Sequence, residues 1–367
     1  MGDFGVFLFI FYSLEFYYLS HGTAKAKTGI GTQAVDFIKN WNGVYGNITS
    51  HFGVGCCRCP YLVISGFYMA LILNEKYAHS YSLFITNRFL RIYPLYFLVL
   101  ALTLIFHFLF YPHPLWITLL SQNEWSPFLL IMILANLLIF GQDVLILMGG
   151  LKISNFMFIP QAWTLSLELM FYLLAPFLVR MRRRYLLCIF MASALLRIFL
   201  LYYDLRFNED PWTYRFFPIE LAFFILGIFS YKVYQRLQGR RIPLALNVMV
   251  FILVLALTIF FDLIPFSSFL KALLYLLILG AGLPFIFYLT RGSRFDRWIG
   301  EYSYAIYVTH MLLMMVLAGP LKVTGRGDPH YGWWVSAGSF FLSFILLNFV
   351  IYPIERWRQH RVLEHKL

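Results

Sequence analysis

Two arginines, Arg88 and Arg91, stand three positions apart where a long apolar segment begins. In a helix that spacing places both side chains on one face, one turn apart. Two guanidinium groups so placed can bind a phosphate through several charge-assisted hydrogen bonds. Alternatively, both side chains extend to lipid headgroups at a membrane surface. The residues alone leave both interpretations open.

A second polar group lies within the apolar segment 299–318. Ser303, Tyr307 and His310 are at positions i, i+4 and i+7 and therefore share one helical face. Such a stripe either forms hydrogen bonds to a neighbouring helix or lines a substrate cavity. Both interpretations stay open here.

Two carboxylates also lie in apolar segments. Glu168 shares a helical face with Thr164 and Tyr172, and Glu220 follows Arg215 closely. An ionisable residue in lipid costs on the order of 2.5–3.5 kcal/mol on insertion scales. Each carboxylate therefore needs a partner: an arginine is expected for Glu168, and Arg215 or an arginine of another span for Glu220. A role in a site is the alternative for Glu168.

The composition shows what kind of element must position these residues. Hydrophobic residues make up 61% of the 367 positions and charged residues only 13%, whereas soluble domains carry about 25% charged residues. This excludes an ordinary soluble enzyme and a disordered chain. We expect an all-α polytopic membrane protein that contacts the lipid bilayer.

Basic residues predict the topology. They cluster in the loop 75–91, after segments ending at 179, 234 and 290, and in the C-terminal tail. The positive-inside rule places these clusters in the cytoplasm, so the net charge of +12 indicates topology and not a nucleic-acid partner. We predict about ten spans, both termini cytoplasmic, and a re-entrant or in-plane element at 115–148. The spans are 4–20, 60–74, 89–111, 162–179, 185–203, 216–234, 243–262, 268–290, 299–318 and 332–354.

Six strings in this order resemble acyltransferase family 3, a family of bacterial membrane enzymes. The resemblance covers roughly residues 61–360, between a divergent first span with a polar external loop at 1–60 and a cytoplasmic tail at 361–367. The strings are LVISGF at 62–67, NRFLRIYPLY at 87–96, WTLSLELMFYLLAPFL at 163–178, RFFPIELAFFILG at 215–227, GEYSYAIYVTH at 300–310 and YPIER at 352–356.

The resemblance implies an enzyme of the bacterial inner membrane. It would transfer an acyl group, often acetyl, from cytoplasmic acyl-CoA to a hydroxyl of a cell-surface polysaccharide or lipid-linked glycan. Acyl-CoA is then a substrate, and no permanently bound cofactor or metal is expected. By the same resemblance, Arg88 and Arg91 would bind the CoA phosphates, and Glu168 and His310 would assist catalysis. The substrate cavity would be lined by Ser65, Trp163, Glu220, Ser303 and Tyr307.

The family's catalytic feature is a histidine in the first span, and its counterpart by order is His21. An imidazole there can remove the proton of a sugar hydroxyl as it attacks the acyl group. The family has a basic residue eleven positions earlier, where this chain has Ile10. His51 is a second candidate, although it lies in a polar loop. The departure keeps a catalytically impaired scaffold open, and a membrane transporter is a further alternative, although no internal repeat supports it.

Replacing the proposed base tests the assignment. We expect His21→Ala to lower acyl transfer by about 10²- to 10⁴-fold, the usual contribution of a positioned general base. The measurement is the acyl content of surface glycan by mass spectrometry. The matched control is His51→Ala, which should leave acylation unchanged. The reverse pattern would assign the base to His51.

Overall fold

The computed structural model describes residues 55–77, 80–110, 113, 127–149, 153, 156–202, 212–321 and 331–357. Within these ranges the chain forms helices and no β-strand, so the predicted all-α class is confirmed. The helices are α1 Gly55–Glu75, α2 Tyr81–Leu109, α3 Pro127–Leu138, α4 Gln142–Gly149, α5 Trp163–Arg180, α6 Arg183–Tyr202, α7 Phe217–Leu237, α8 Leu244–Ile259, α9 Ser268–Thr290, α10 Arg294–Ala318 and α11 Tyr331–Leu346. A π-helical segment, Leu347–Ile351, continues α11, and the helix then extends to residue 357.

Five helical stretches in the described ranges are long and apolar enough to cross a membrane. They are Tyr81–Leu109, Pro160–Arg180, Phe217–Leu237, Leu270–Thr290 and Gly332–Trp357. Helices α1, α6, α8 and α10 coincide with four other predicted spans. The predicted first span, 4–20, lies outside the described residues.

Several helix ends that carry the basic clusters lie together. Gln238, after α7, donates from Nε2 to Oε1 of Glu75 at the end of α1, over 3.3 Å. Arg291, after α9, donates to the Tyr234 hydroxyl over 3.4 Å. The ends of α1, α7 and α9 are therefore neighbours, as the charge pattern predicts.

The region predicted to be re-entrant contains two short helices, α3 and α4, of 12 and 8 residues. At 1.5 Å per residue they extend about 18 and 12 Å, less than the ~30 Å of a bilayer core. Between them, Ile139 and Gly141 have positive φ. Side chains form hydrogen bonds to backbone groups near this break. The Tyr96 hydroxyl donates to the carbonyl of Asn136 over 2.5 Å, and the Gly141 amide donates to Ser166 Oγ over 2.8 Å.

Helices α1 and α7 pack backbone against backbone at two glycines. A Cβ atom on Gly66 would lie 2.0 Å from the Phe224 carbonyl oxygen, and one on Gly227 would lie 2.0 Å from the Val63 carbonyl oxygen. No side chain fits at either position. The small Ser65–Gly66 pair permits such a close approach.

Adding a side chain at this crossing should separate the helices. We expect Gly66→Val and Gly227→Val each to lower the apparent melting temperature in detergent by about 5 °C or more, because over-packing typically costs 1–3 kcal/mol. The matched control is Gly292→Ala, where an added Cβ meets open space. Equal melting temperatures for all the variants would show that the crossing does not determine stability.

Candidate functional site

A cavity of about 340 Å³ lies between α1, α2, α10 and the helical segment after α11. Four basic and two acidic side chains line it: Lys76, Arg88, Arg91, Arg297, Glu301 and Glu355. Much of the remaining lining is aromatic or aliphatic and includes Tyr68, Leu95, Tyr304 and Ile351. Both members of the predicted arginine pair therefore line one cavity.

Arg88 is nearly completely buried, with 3% of its surface exposed. Its guanidinium carbon lies 5.6 Å from the centre of the Phe84 ring and 5.7 Å from that of Tyr172, and Tyr77 forms a hydrogen bond to it. Nε and Nη1 are buried without a hydrogen-bond partner in the described part of the chain. Since buried donors are normally satisfied, these atoms indicate a place for an acceptor. The burial does not fit a side chain that extends to lipid headgroups.

The cavity arginines are not matched by acids. Within the described ranges, no carboxylate forms an ion pair with Arg88, Arg91 or Arg297, and the ion pair found there joins Arg197 to Glu220. Arg88, Arg91 and Arg297 thus keep their positive charge available to an anionic ligand.

Glu168 lies beside the arginines but is held by tyrosines. Its carboxylate accepts hydrogen bonds from the hydroxyls of Tyr172 and Tyr61. Arg91 and Arg88 are close enough to interact with it electrostatically. The sequence predicts a partner for this carboxylate, and the partners in direct contact are phenol groups instead of a guanidinium.

The predicted stripe on α10 packs α10 against the start of α5. The Tyr307 hydroxyl donates to the Gln161 carbonyl oxygen over 2.5 Å and contacts the Thr164 hydroxyl. Ser303 donates to the Ile299 carbonyl within its own helix, over 3.0 Å. Nδ1 of His310 lies 2.6 Å from the Tyr307 carbonyl oxygen. These contacts agree with the interpretation of the stripe as a hydrogen-bonded helix contact.

The cavity-lining face of α10 is a different one. Arg297, Glu301 and Tyr304 line the cavity, at the same i, i+4, i+7 spacing as the predicted stripe. Sequence reasoning missed this face, although its periodicity is visible in the sequence.

Glu220 is fully buried and pairs with Arg197 of α6, with 3.2 Å between Nη1 and Oε1. Of the two predicted partners, the arginine of another span is thus correct. Arg215 instead stacks over Trp163, with its guanidinium carbon 3.8 Å from the ring centre. Ser65 is buried, and its hydroxyl has no hydrogen-bond partner among the described residues. The proposed base, His21, lies outside these residues.

Replacing the residues of the Arg197–Glu220 ion pair tests whether Glu220 has a structural role or a role in the site. We expect Arg197→Met to lower the free energy of unfolding by about 3–5 kcal/mol, because it leaves a buried carboxylate unpaired. The double variant Arg197→Met/Glu220→Leu should recover most of the loss. Unfolding in SDS-containing mixed micelles measures both, with the exposed Arg184→Met on the same helix as control. A stable but inactive double variant would place Glu220 in the site.

Comparisons with known proteins identify the family of the chain. The sequence matches the acyltransferase domain family over residues 6–353. That match reaches closer to the N-terminus than the motifs described above. No curated protein and no solved structure matches the chain. Because the matched region covers nearly the whole chain, the protein belongs to acyltransferase family 3.

Proposed function

We propose that the protein transfers an acyl group, with acetyl as the first candidate, from acyl-CoA to a hydroxyl of a cell-surface polysaccharide or lipid-linked glycan. The family supports acyl transfer. The donor and the acceptor are parts of the proposal. The observation that carries the donor is the buried Arg88 guanidinium, whose Nε and Nη1 lack partners within the described residues. Phosphate oxygens are the acceptors that such a group binds best.

The proposal includes an orientation in the bacterial inner membrane. The cavity is lined by residues at the end of α1 and in the first turn of α10, beside the basic segments of the chain. The positive-inside rule assigns that end to the cytoplasm, where acyl-CoA is available. Both termini are then cytoplasmic.

The chemistry is a substitution at the thioester carbonyl. The acceptor hydroxyl forms the new ester bond, the bond between the carbonyl carbon and sulfur breaks, and coenzyme A leaves as its thiol. In our proposal His21 removes the hydroxyl proton and then passes it to the departing sulfur. Glu168, beside the arginine pair, and His310, whose Nδ1 contacts the Tyr307 carbonyl, support this centre.

Replacing the arginine pair tests the donor. We expect Arg88→Gln and Arg91→Gln each to raise the KM for acetyl-CoA by about 10- to 100-fold, since a hydrogen bond to a charged group contributes about 1.5–3 kcal/mol. Transfer of labelled acetyl groups to glycan in membrane vesicles measures KM and kcat.

The matched control is Arg294→Gln, an exposed arginine at the start of α10 that is not among the cavity-lining residues. Its KM should equal that of the wild type. An unchanged KM in both cavity variants would refute acyl-CoA binding by this pair.

A further inference from the structure

The basic side chains of the cavity lie at two levels. Arg88 and Arg91 are seven and ten residues beyond the start of α2 at Tyr81, which is about 10 and 15 Å along the helix. Arg297 is three residues beyond the start of α10 at Arg294, about 5 Å along that helix. Lys76 directly follows the last residue of α1. Arg297 and Lys76 thus lie nearer the ends of their helices than Arg88 and Arg91 do, and we call Arg297 and Lys76 the mouth pair.

The mouth pair has features of a binding site of its own. Arg297 is exposed and forms no ion pair with a carboxylate of the described residues. Glu301, one turn further along α10, instead accepts a hydrogen bond from the Tyr352 hydroxyl. Lys76 lines the same cavity. The cavity has four basic and two acidic side chains, so a ligand with more than one anionic group fits its charge.

We propose that Arg297 and Lys76 form a second anion subsite, which binds the 3′-phosphate of coenzyme A while Arg88 and Arg91 bind the diphosphate. This inference rests on the proposed function. Coenzyme A has these two anionic groups on its nucleotide end, whereas a phosphopantetheine thioester on a carrier protein has a single phosphodiester. Two levels of basic residues match the first donor class and not the second. The mouth pair would thus select CoA thioesters over carrier-bound ones.

Comparing acetyl-CoA with 3′-dephospho-acetyl-CoA tests the subsite. Binding of both is measured on the full chain in nanodiscs of zwitterionic lipid, for the wild type, Arg297→Gln, Lys76→Gln and Arg91→Gln. The wild type should bind acetyl-CoA at least about 10-fold more tightly than 3′-dephospho-acetyl-CoA. Arg297→Gln and Lys76→Gln should each weaken the binding of acetyl-CoA but not that of 3′-dephospho-acetyl-CoA. The ratio of the two affinities should therefore fall. Arg91→Gln should weaken both ligands, and the control Arg294→Gln should change neither.

The outcomes separate the two proposals. If the mouth variants keep the wild-type preference while Arg91→Gln weakens both ligands, the subsite is refuted and the donor assignment stands. If the wild type binds neither ligand, both proposals fail. A repeat in nanodiscs of anionic lipid identifies the competing source of phosphate. If Arg297→Gln changes ligand binding in anionic nanodiscs but not in zwitterionic ones, the mouth pair binds a lipid headgroup and the subsite is refuted.

Discussion

The contact between α1 and α7 at Gly66 and Gly227 fixes the rotation of α1, and the cavity depends on it. Each added Cβ would lie 2.0 Å from a carbonyl oxygen of the other helix, so α1 must present Gly66 to α7. Tyr68 is two residues further along, about 200° around the helix, and it therefore lies on the opposite side, in the cavity wall. Tyr61, nearly a turn and a half before Gly66, reaches the Glu168 carboxylate. A backbone contact outside the cavity thus positions the side chains that form it.

Two kinds of polar group within the helices differ in their hydrogen bonds. Tyr307 bonds to the Gln161 carbonyl, and Asn136 accepts from the Phe158 amide and donates to the Phe156 carbonyl. These groups satisfy backbone atoms near helix breaks, as a membrane interior requires. Arg88 and Ser65, by contrast, have buried donors without partners in the described part of the chain. Groups of the second kind can accept a partner from outside the described ranges, such as water, a ligand or another residue.

The sequence predicted the elements better than their contacts. Apolar length was sufficient to predict where the long helices of the described ranges lie, because the thickness of the bilayer core sets the length of a span. The arginine pair was predicted correctly to lie together, since three-residue spacing determines its geometry. Pairings between helices were harder: Glu220 bonds to Arg197, 23 residues away, and periodicity cannot choose between this arginine and Arg215. The lining face of α10 was missed because two faces of that helix are polar, and only the packing decides which of them meets a cavity.

The partners of Arg88 explain how a guanidinium stays buried and still available. Aromatic rings can stabilise a cation without neutralising it, and Phe84 and Tyr172 lie at such distances from Arg88. A carboxylate in direct contact would stabilise it more strongly but would compete with phosphate for the same N–H groups. The nearby carboxylate, Glu168, accepts its hydrogen bonds from tyrosine hydroxyls instead. The tyrosine hydroxyls therefore hold the Glu168 carboxylate away from the Arg88 guanidinium, which leaves N–H groups of Arg88 for the anionic ligand that we propose.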